Sequence, residues 1–348
     1  MIRVLIVDDS RVACAALREL LRQDPGIAIL GEAHNGAEAL SMIAREKPDL
    51  VTMDINMPGM NGLEATRRIM ETCPVPILII SAGVTSCEAT TVFEALKAGA
   101  LGVLPKPGSQ LGSEWQSEAL AIIETVHLLA GVCVHRRTPE SIRLPSSAKD
   151  PGVPDVPQVV VMGASTGGPV ALNELLSCLP QDFPLPIALV QHIAAGFGKH
   201  FASWLSESSK HPVTLAAQGE RLLPGHVYLA PDGQHLELSG GPCSQLSSDP
   251  PDQGLRPSVK RLFRSAALHF GNRAIAVLLT GMGRDGAEEM KHLRDLGALT
   301  IAQDQKSSLI HGMPGEAIRL GAAVCVLPPQ LIAYQLVLAS TVPPINTP

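Results

Sequence analysis

Val159-Val160-Val161-Met162-Gly163-Ala164-Ser165-Thr166-Gly167-Gly168-Pro169 is the stretch on which the reading of the fold turns. Four consecutive apolar residues, three of them β-branched, suit a strand buried on both faces. The glycines then permit a tight turn, and Pro169 opens a helical pattern that runs to Leu179. A strand turning directly into a helix is the repeating unit of a parallel α/β sheet. The alternation continues downstream, with strands expected at Ile187–Val190, Val213–Ala216, Val227–Ala230, His235–Leu238, Ala274–Leu279, Leu299–Ala302 and Ala323–Val326. Helices are expected at Phe197–Ser206, Ser258–Phe270, Ala287–Leu296 and Pro314–Leu320. A small antiparallel excursion is expected around Val227–Leu238. Gly240–Gly254, rich in Gly, Pro, Ser and Asp, reads as a surface loop.

Upstream lies a second run of the same kind. Short apolar segments at Val4–Val7, Ile27–Gly31, Leu50–Met53, Ile77–Ile80 and Gly102–Leu104 alternate with amphipathic ones at Val12–Leu21, Ala37–Ala44, Gly62–Met70 and Ala89–Ala98. Five strands interleaved with helices predict a parallel, doubly wound sheet, completed by a helix over Glu114–Leu129. Between the two runs, Pro139, Pro145, Pro151, Pro154 and Pro157 stand among Ser, Arg, Lys and Asp. No regular element tolerates that proline density, so a semi-extended linker is expected. The expected division is one domain over residues 1–130, a linker over 131–157 and a second domain over 158–345. Both domains are α/β, the second with a mostly parallel sheet.

Composition narrows the function classes. Of 348 residues, 45% are hydrophobic and only 3% aromatic, so aliphatic side chains must build the cores. A formal net charge of −6, with no clustering of Lys and Arg, gives no electrostatic footprint for nucleic acid. The seven cysteines are dispersed without a C-x-x-C pair, which reads as reduced thiols in a cytoplasmic chain. The apolar run Ile2–Val7 is too short for a signal peptide, and Ala119–Val134 is interrupted by Glu124 and His127. A soluble chain with no direct membrane insertion is expected.

In an open α/β sheet, ligands bind at the carboxyl ends of strands. In the first half those ends carry Asp8-Asp9, Asp54 and Ser81, and the fifth strand leads into Lys106. Converging carboxylates repel one another unless a hard cation sits among them, and Mg²⁺ suits oxygen ligands. A carboxylate so held can attack phosphorus to give an acyl phosphate. The plainer alternative is that Asp8 and Asp9 cap the first helix. The segments Val7-Asp8-Asp9-Ser10 and Asp54-Ile55-Asn56-Met57-Pro58-Gly59-Met60-Asn61-Gly62, with Ser81 and Lys106-Pro107, resemble the receiver domain of two-component response regulators. The resemblance implies a flavodoxin-like (βα)5 fold with Asp54 as phospho-acceptor. It also implies Mg²⁺ held by Asp8, Asp9, Asp54 and the backbone carbonyl of Asn56. Ser81 and Lys106 would couple phosphorylation to a surface change. Two departures stand out: Val103 occupies the usual aromatic switch position, and Asn61 replaces the commoner Asp.

In the second half, Gly163-Ala164-Ser165-Thr166-Gly167 fits G-x-S-x-G between a strand and a helix, where free backbone N–H groups offer positive potential. A helix-capping serine or a phosphate-binding turn would look the same. A nucleophilic serine needs a base. His192 follows the apolar run Ile187–Val190 and so reaches the same sheet edge, whereas His127 and His269 lie in helical patterns and His211 and His226 in loops. Asp285, at the end of the loop Thr280-Gly281-Met282-Gly283-Arg284, could orient the imidazole or merely cap the next helix. Backbone N–H groups of Gly281–Gly283 could supply an oxyanion hole. The order Ser165, His192, Asp285 counts against the α/β-hydrolase fold.

Met162–Pro169, Gln191–Phe201, Val227–Leu238, Arg256–Ala267, Leu279–Ala287 and His311–Ala317 resemble the catalytic domain of the chemotaxis protein-glutamate methylesterases. The resemblance implies Ser165 as nucleophile, His192 as base, Asp285 as orienting acid and the N–H of Met282 as oxyanion donor, with Arg284 where Asn is common. It further implies hydrolysis of glutamate γ-methyl esters on chemoreceptors, deamidation of selected receptor glutamines, and a chemotaxis histidine kinase as phosphoryl donor. No cofactor is implied for the esterase step. Two rival readings stay open: a carboxylesterase for small molecules, and a non-enzymatic module in which the triad is vestigial.

Overall fold

The computed structural model describes residues 1–81, 89–107, 115–131, 157–193 and 196–340. Most of the expected linker, residues 132–156, lies outside the described residues. The chain divides into two compact units, Met1–Ile142 and Arg143–Pro348, and each is described by itself.

The first unit holds strands β1 (Ile2–Val7), β2 (Ile27–Ala33), β3 (Leu50–Met53), β4 (Ile77–Ser81) and β5 (Gly102–Pro105). They form one parallel sheet in the order β2-β1-β3-β4-β5. Every residue of β3 and β4 is buried, which is why these strands read as unbroken apolar runs rather than alternating ones. Helices Arg11–Leu21, Gly36–Glu46 and Gly62–Thr72 start on Ser10, Asn35 and Asn61, whose side chains accept N–H groups of the first turn. Ser10, not the acidic pair, is therefore the first helix's cap. Strand order reverses between β1 and β3, and that crevice is where a flavodoxin-like sheet binds its ligand.

The second unit is built on seven parallel strands in the order β14-β13-β12-β6-β7-β9-β8. They are β6 (Val159–Ala164), β7 (Ile187–Gln191), β8 (Val213–Leu215), β9 (Val227–Leu229), β12 (Ala274–Leu278), β13 (Leu299–Gln303) and β14 (Cys325–Leu327). β10 (His235–Ser239) and β11 (Cys243–Ser247) make a separate antiparallel hairpin. Helices Gly168–Ser177, Val259–His269 and Ala287–Asp295 pack on the sheet, and Val259, Leu262, Phe263 and Ala266 bury one face of the middle one. Here the order reverses between β6 and β12.

Two expectations need correction. Gly240–Gly254 is not wholly loop, because Cys243–Ser247 is β11. Its polar residues conceal a half-buried strand held by pairing to β10, with Ser244 buried and donating to the Ala217 carbonyl. The antiparallel excursion is also displaced: β9 lies parallel within the main sheet, and the hairpin begins only at His235. A further helix, Pro329–Ser340, was not expected, since its apolar residues lie on all sides and give no 3.6-residue rhythm.

Candidate active site and phosphoacceptor pocket

At the β1/β3 crevice, Asp8 and Asp54 are almost wholly buried, at 1% and 4% exposure, while Asp9 is exposed. The ammonium of Lys106 pairs with Asp8 Oδ2 at 2.7 Å and with Asp54 Oδ2 at 2.9 Å. Asp54 Oδ1 accepts the Ile55 N–H at 2.8 Å, and Asp8 Oδ1 accepts that of Ser10 at 2.9 Å. Burial, with Asp8 beside it, pushes the Asp54 carboxyl up from its ordinary value against the pull of Lys106. Burial works against the Lys106 cation, but the two carboxylates outweigh it and raise its pKa.

One ammonium neutralises one of three carboxylates. Oxygens of Asp8, Asp9 and Asp54 lie within 4.8 Å of one another, so the donor set fits a hard divalent cation in both charge and chemistry. Asn56 is exposed on the loop that follows Asp54. Gly62 packs so closely on the Asp54 carbonyl that a Cβ there would overlap it, which fixes the loop's path. Ser81 is buried with its hydroxyl unpaired among the described residues, and its carbonyl accepts the Lys106 N–H at 3.0 Å. Val103 is partly buried against the aliphatic core.

In the second unit, Ser165 stands just beyond β6. Its N–H donates to the Thr280 carbonyl at 3.0 Å, and its own carbonyl accepts Gly168 N–H at 2.8 Å. Helix Gly168–Ser177 is capped by Gly167, at φ +82° and without a side-chain cap bond, so Ser165 is not a helix cap. A Cβ on Gly281 would stand 2.7 Å from Ser165 Cβ and overlap Met313 Sδ, so the loop after β12 lies flush against the serine. Thr280 ties this loop together: its hydroxyl donates toward the carbonyls of Thr166 and Ile310, and its N–H is accepted by buried Gln303 at 2.8 Å. Gly281 N–H is taken by Ile310, whereas the N–H of Met282 has no partner among the described residues. The N–H of Gly283 is unpartnered among them too, so Met282 is one of the free donors of the loop. Arg284 is exposed.

His192 follows β7 and points Nε2 at Asp285 Oδ2, 3.0 Å away. A carboxylate there fixes the proton on Nε2 and leaves Nδ1 as the acceptor nitrogen. Asp285 also accepts Val259 N–H at 2.7 Å, Lys260 N–H at 3.0 Å and Ser258 Oγ–H at 3.0 Å. It thus caps a helix, but the one at Val259–His269 rather than the one it precedes, and holds the imidazole with Oδ2, the oxygen that also accepts Val259 N–H. Burial opposes its charge, yet His192 and the helix N–H groups outweigh that and hold its carboxyl below the ordinary value. Among the described residues Ser165 Oγ makes no hydrogen bond, so the serine–histidine contact is open in this state. Catalytic hydrogen bonds are often long before substrate arrives. His211 is buried and spent on the Leu179 carbonyl at 3.3 Å.

Gln191 was missed as a functional candidate. It is 3% exposed and its Nε2 donates to the carbonyls of both Ser165 and His192, at 2.8 Å each. A glutamine at the end of an apolar strand was the only available signal.

The family model for CheB methylesterase matches residues 160–336, and that for the response regulator receiver domain matches residues 4–111. A Geobacter metallireducens protein named protein-glutamate methylesterase/protein-glutamine glutaminase 4 is 49% identical, covering 97% of this chain and 98% of the relative. A Syntrophus aciditrophicus protein of the same description, numbered 1, is 47% identical over 99% of this chain and 100% of its own. The crystal structure of the Thermotoga maritima CheB methylesterase catalytic domain superposes with a TM-score of 0.51 at 37% identity, covering 52% of this chain and 98% of that one. The chain belongs to the CheB methylesterase family, with a response-regulator receiver domain preceding the methylesterase domain.

Proposed function

We propose that this chain is a phosphorylation-regulated protein-glutamate methylesterase. In this reading residues 1–130 form the receiver, residues 158–345 form the esterase, and Ser165, His192 and Asp285 form the triad. The observation that carries it is the aimed imidazole: three donors fix Asp285, Asp285 holds His192, and His192 follows the strand next to the one bearing Ser165. Ser165 Oγ attacks the γ-ester carbonyl of a receptor glutamate while His192 Nδ1 takes its proton. The Met282 N–H receives the developing oxyanion. The proton passes to the leaving oxygen, methanol departs, and water activated by His192 releases the glutamate side chain from Ser165. Attack on a glutamine amide follows the same course with ammonia leaving.

Asp54 is the phospho-acceptor in this reading, served by a chemotaxis histidine kinase. Asp8, Asp9, Asp54 and the Asn56 carbonyl would hold Mg²⁺, which supplies charge neutralisation for phosphoryl transfer. The acyl phosphate would carry roughly −1.5 to −2 charge in place of the single negative charge of the Asp54 carboxylate, where one Lys106 already faces two carboxylates, so Lys106 and Ser81 would re-aim toward its oxygens. No helix among the described residues is long and apolar enough to cross a membrane.

Turnover of methylated receptor membranes compared with a panel of small aryl esters tests the assignment. Strong preference for the receptor ester is expected. Efficient aryl-ester hydrolysis with no methanol from receptors would replace it with a general carboxylesterase.

A further inference from the structure

The geometry points to Gln191 as the positioning residue that sets the Ser165–His192 distance; this rests on the esterase reading above. Gln191 is the last residue of β7 and pairs with Ala164, the last residue of β6. Ser165 and His192 are therefore the first residues past the ends of two adjacent strands, and the last main-chain bond between those strands is His192 N–H to the Ala164 carbonyl at 3.0 Å. One side chain carries the tie one step further, to the carbonyls of Ser165 and His192. The Gln191 amide donates one N–H to the Ser165 carbonyl and one to the His192 carbonyl, both at 2.8 Å. Among the described residues no other side chain bonds the backbones of both.

Chemistry fixes which way the amide faces. Two carbonyl oxygens require two N–H donors, and among uncharged side chains only a primary amide presents both from one atom. The amide oxygen then faces the other way, buried and without a partner among the described residues, against Gly168. A Cβ on Gly168 would overlap this oxygen. Gly168 is the first residue of its helix and does not need a left-handed backbone, so its missing side chain is explained by room for Gln191. The Ser165 carbonyl has a second donor in Gly168 N–H, whereas the His192 carbonyl has Gln191 alone among the described residues. Loss of the amide frees the peptide after His192 first. The imidazole then swings about its Asp285 contact, and the nucleophile loses its base without losing its own turn.

The test uses the full-length protein and an activated phosphonate, which reports Ser165 reactivity without any receptor contact. Gln191→Leu keeps the volume and removes both donors. Its labelling rate and kcat are expected to fall on the order of 100-fold, the usual consequence of misplacing reacting groups by about an ångström. KM for methylated receptor membranes should stay within about threefold, because substrate-binding contacts are untouched. Gly168→Ala approaches the same clasp from the other side and keeps the test alive if the first variant fails to fold. It should lower labelling about tenfold alone but add less than about threefold in a Gln191→Ala background, since both changes act on one contact. Labelling of folded Gln191→Leu or Gly168→Ala at the wild-type rate would overturn the inference alone. Wild-type protein that never labels at Ser165 would overturn the esterase reading, and the inference with it.

Discussion

The two units place their chemistry at the same kind of position, the point where strand order reverses, yet they treat charge in opposite ways. At β1/β3, two buried carboxylates share one ammonium, and Asp54 is pushed toward its neutral form. At β6/β12, Asp285 collects four donors, two of them N–H groups at a helix N-terminus, and is held in its charged form. In the proposed reading the site that accepts a phosphoryl group keeps an unbalanced, exchangeable electrostatic arrangement, and the site that aims a base keeps a saturated one. The difference teaches that the same sheet edge serves as a switch or as an anvil according to how fully its acid is satisfied.

The comparison is broken most severely at the serine. Ser165→Ala is expected to lower methanol release by roughly 10⁴-fold or more, because triad members act as a unit. Asp285→Asn should cost on the order of 10³- to 10⁴-fold in kcat, since the amide favours the wrong imidazole tautomer. Steady-state rates on methylated receptors read both. On the other side, Asp54→Asn should retain basal esterase turnover within about twofold while losing all stimulation by a small phosphodonor with Mg²⁺, because the acceptor oxygen is gone.

Stability separates the two sites more finely. Lys106→Met leaves Asp8 and Asp54 facing each other without a cation. It should destabilise the first unit by roughly 1–3 kcal/mol in Mg²⁺-free buffer, with added Mg²⁺ restoring more of the loss than it adds to wild type. Denaturant melts with and without the ion measure this. The smallest effect is in the pH dependence, and its sign differs between the two acids. Asp54 has a raised native pKa, so its favourable contribution is complete at low pH and is lost as pH rises through that value. The gain in stability of Asp54→Asn over wild type should therefore grow as pH rises above the ordinary carboxylate value. Asp285 has a depressed native pKa, so its contribution is present above the ordinary carboxylate value and is lost as pH falls through the native one. The deficit of Asp285→Asn should be full near neutrality and close below about pH 4. Parallel pH trends in the two variants would refute the contrast.

Much of this contrast was legible in the sequence because buried parallel strands announce themselves as short apolar runs, and their last residues carry the chemistry. Asp54, one residue past Leu50–Met53, and His192, two past Ile187–Val190, were proposed in that way, and Ser165 from the G-x-S-x-G turn that follows Val159–Met162. β11 was not, because a half-buried hairpin strand such as Cys243-Ser244-Gln245-Leu246-Ser247 has the composition of a loop. Helix Pro329–Ser340 lacked the polar stripe that marks a surface helix. Gln191 escaped for a different reason. Its importance lies in two carbonyl oxygens that only the folded chain brings to one amide, and main-chain partners leave no trace in residue type. The second role of Asp285, as cap for Val259–His269, is of the same kind.

The measurement that bears most directly on the whole account is methanol release from methylated receptor membranes by the full-length protein, with and without a small phosphodonor and Mg²⁺, alongside Ser165→Ala. The account predicts basal release by wild type, a clear rise on addition of phosphodonor with Mg²⁺, and none from Ser165→Ala under either condition. Release by Ser165→Ala near the wild-type rate, or a wild-type rate indifferent to phosphodonor, would contradict it.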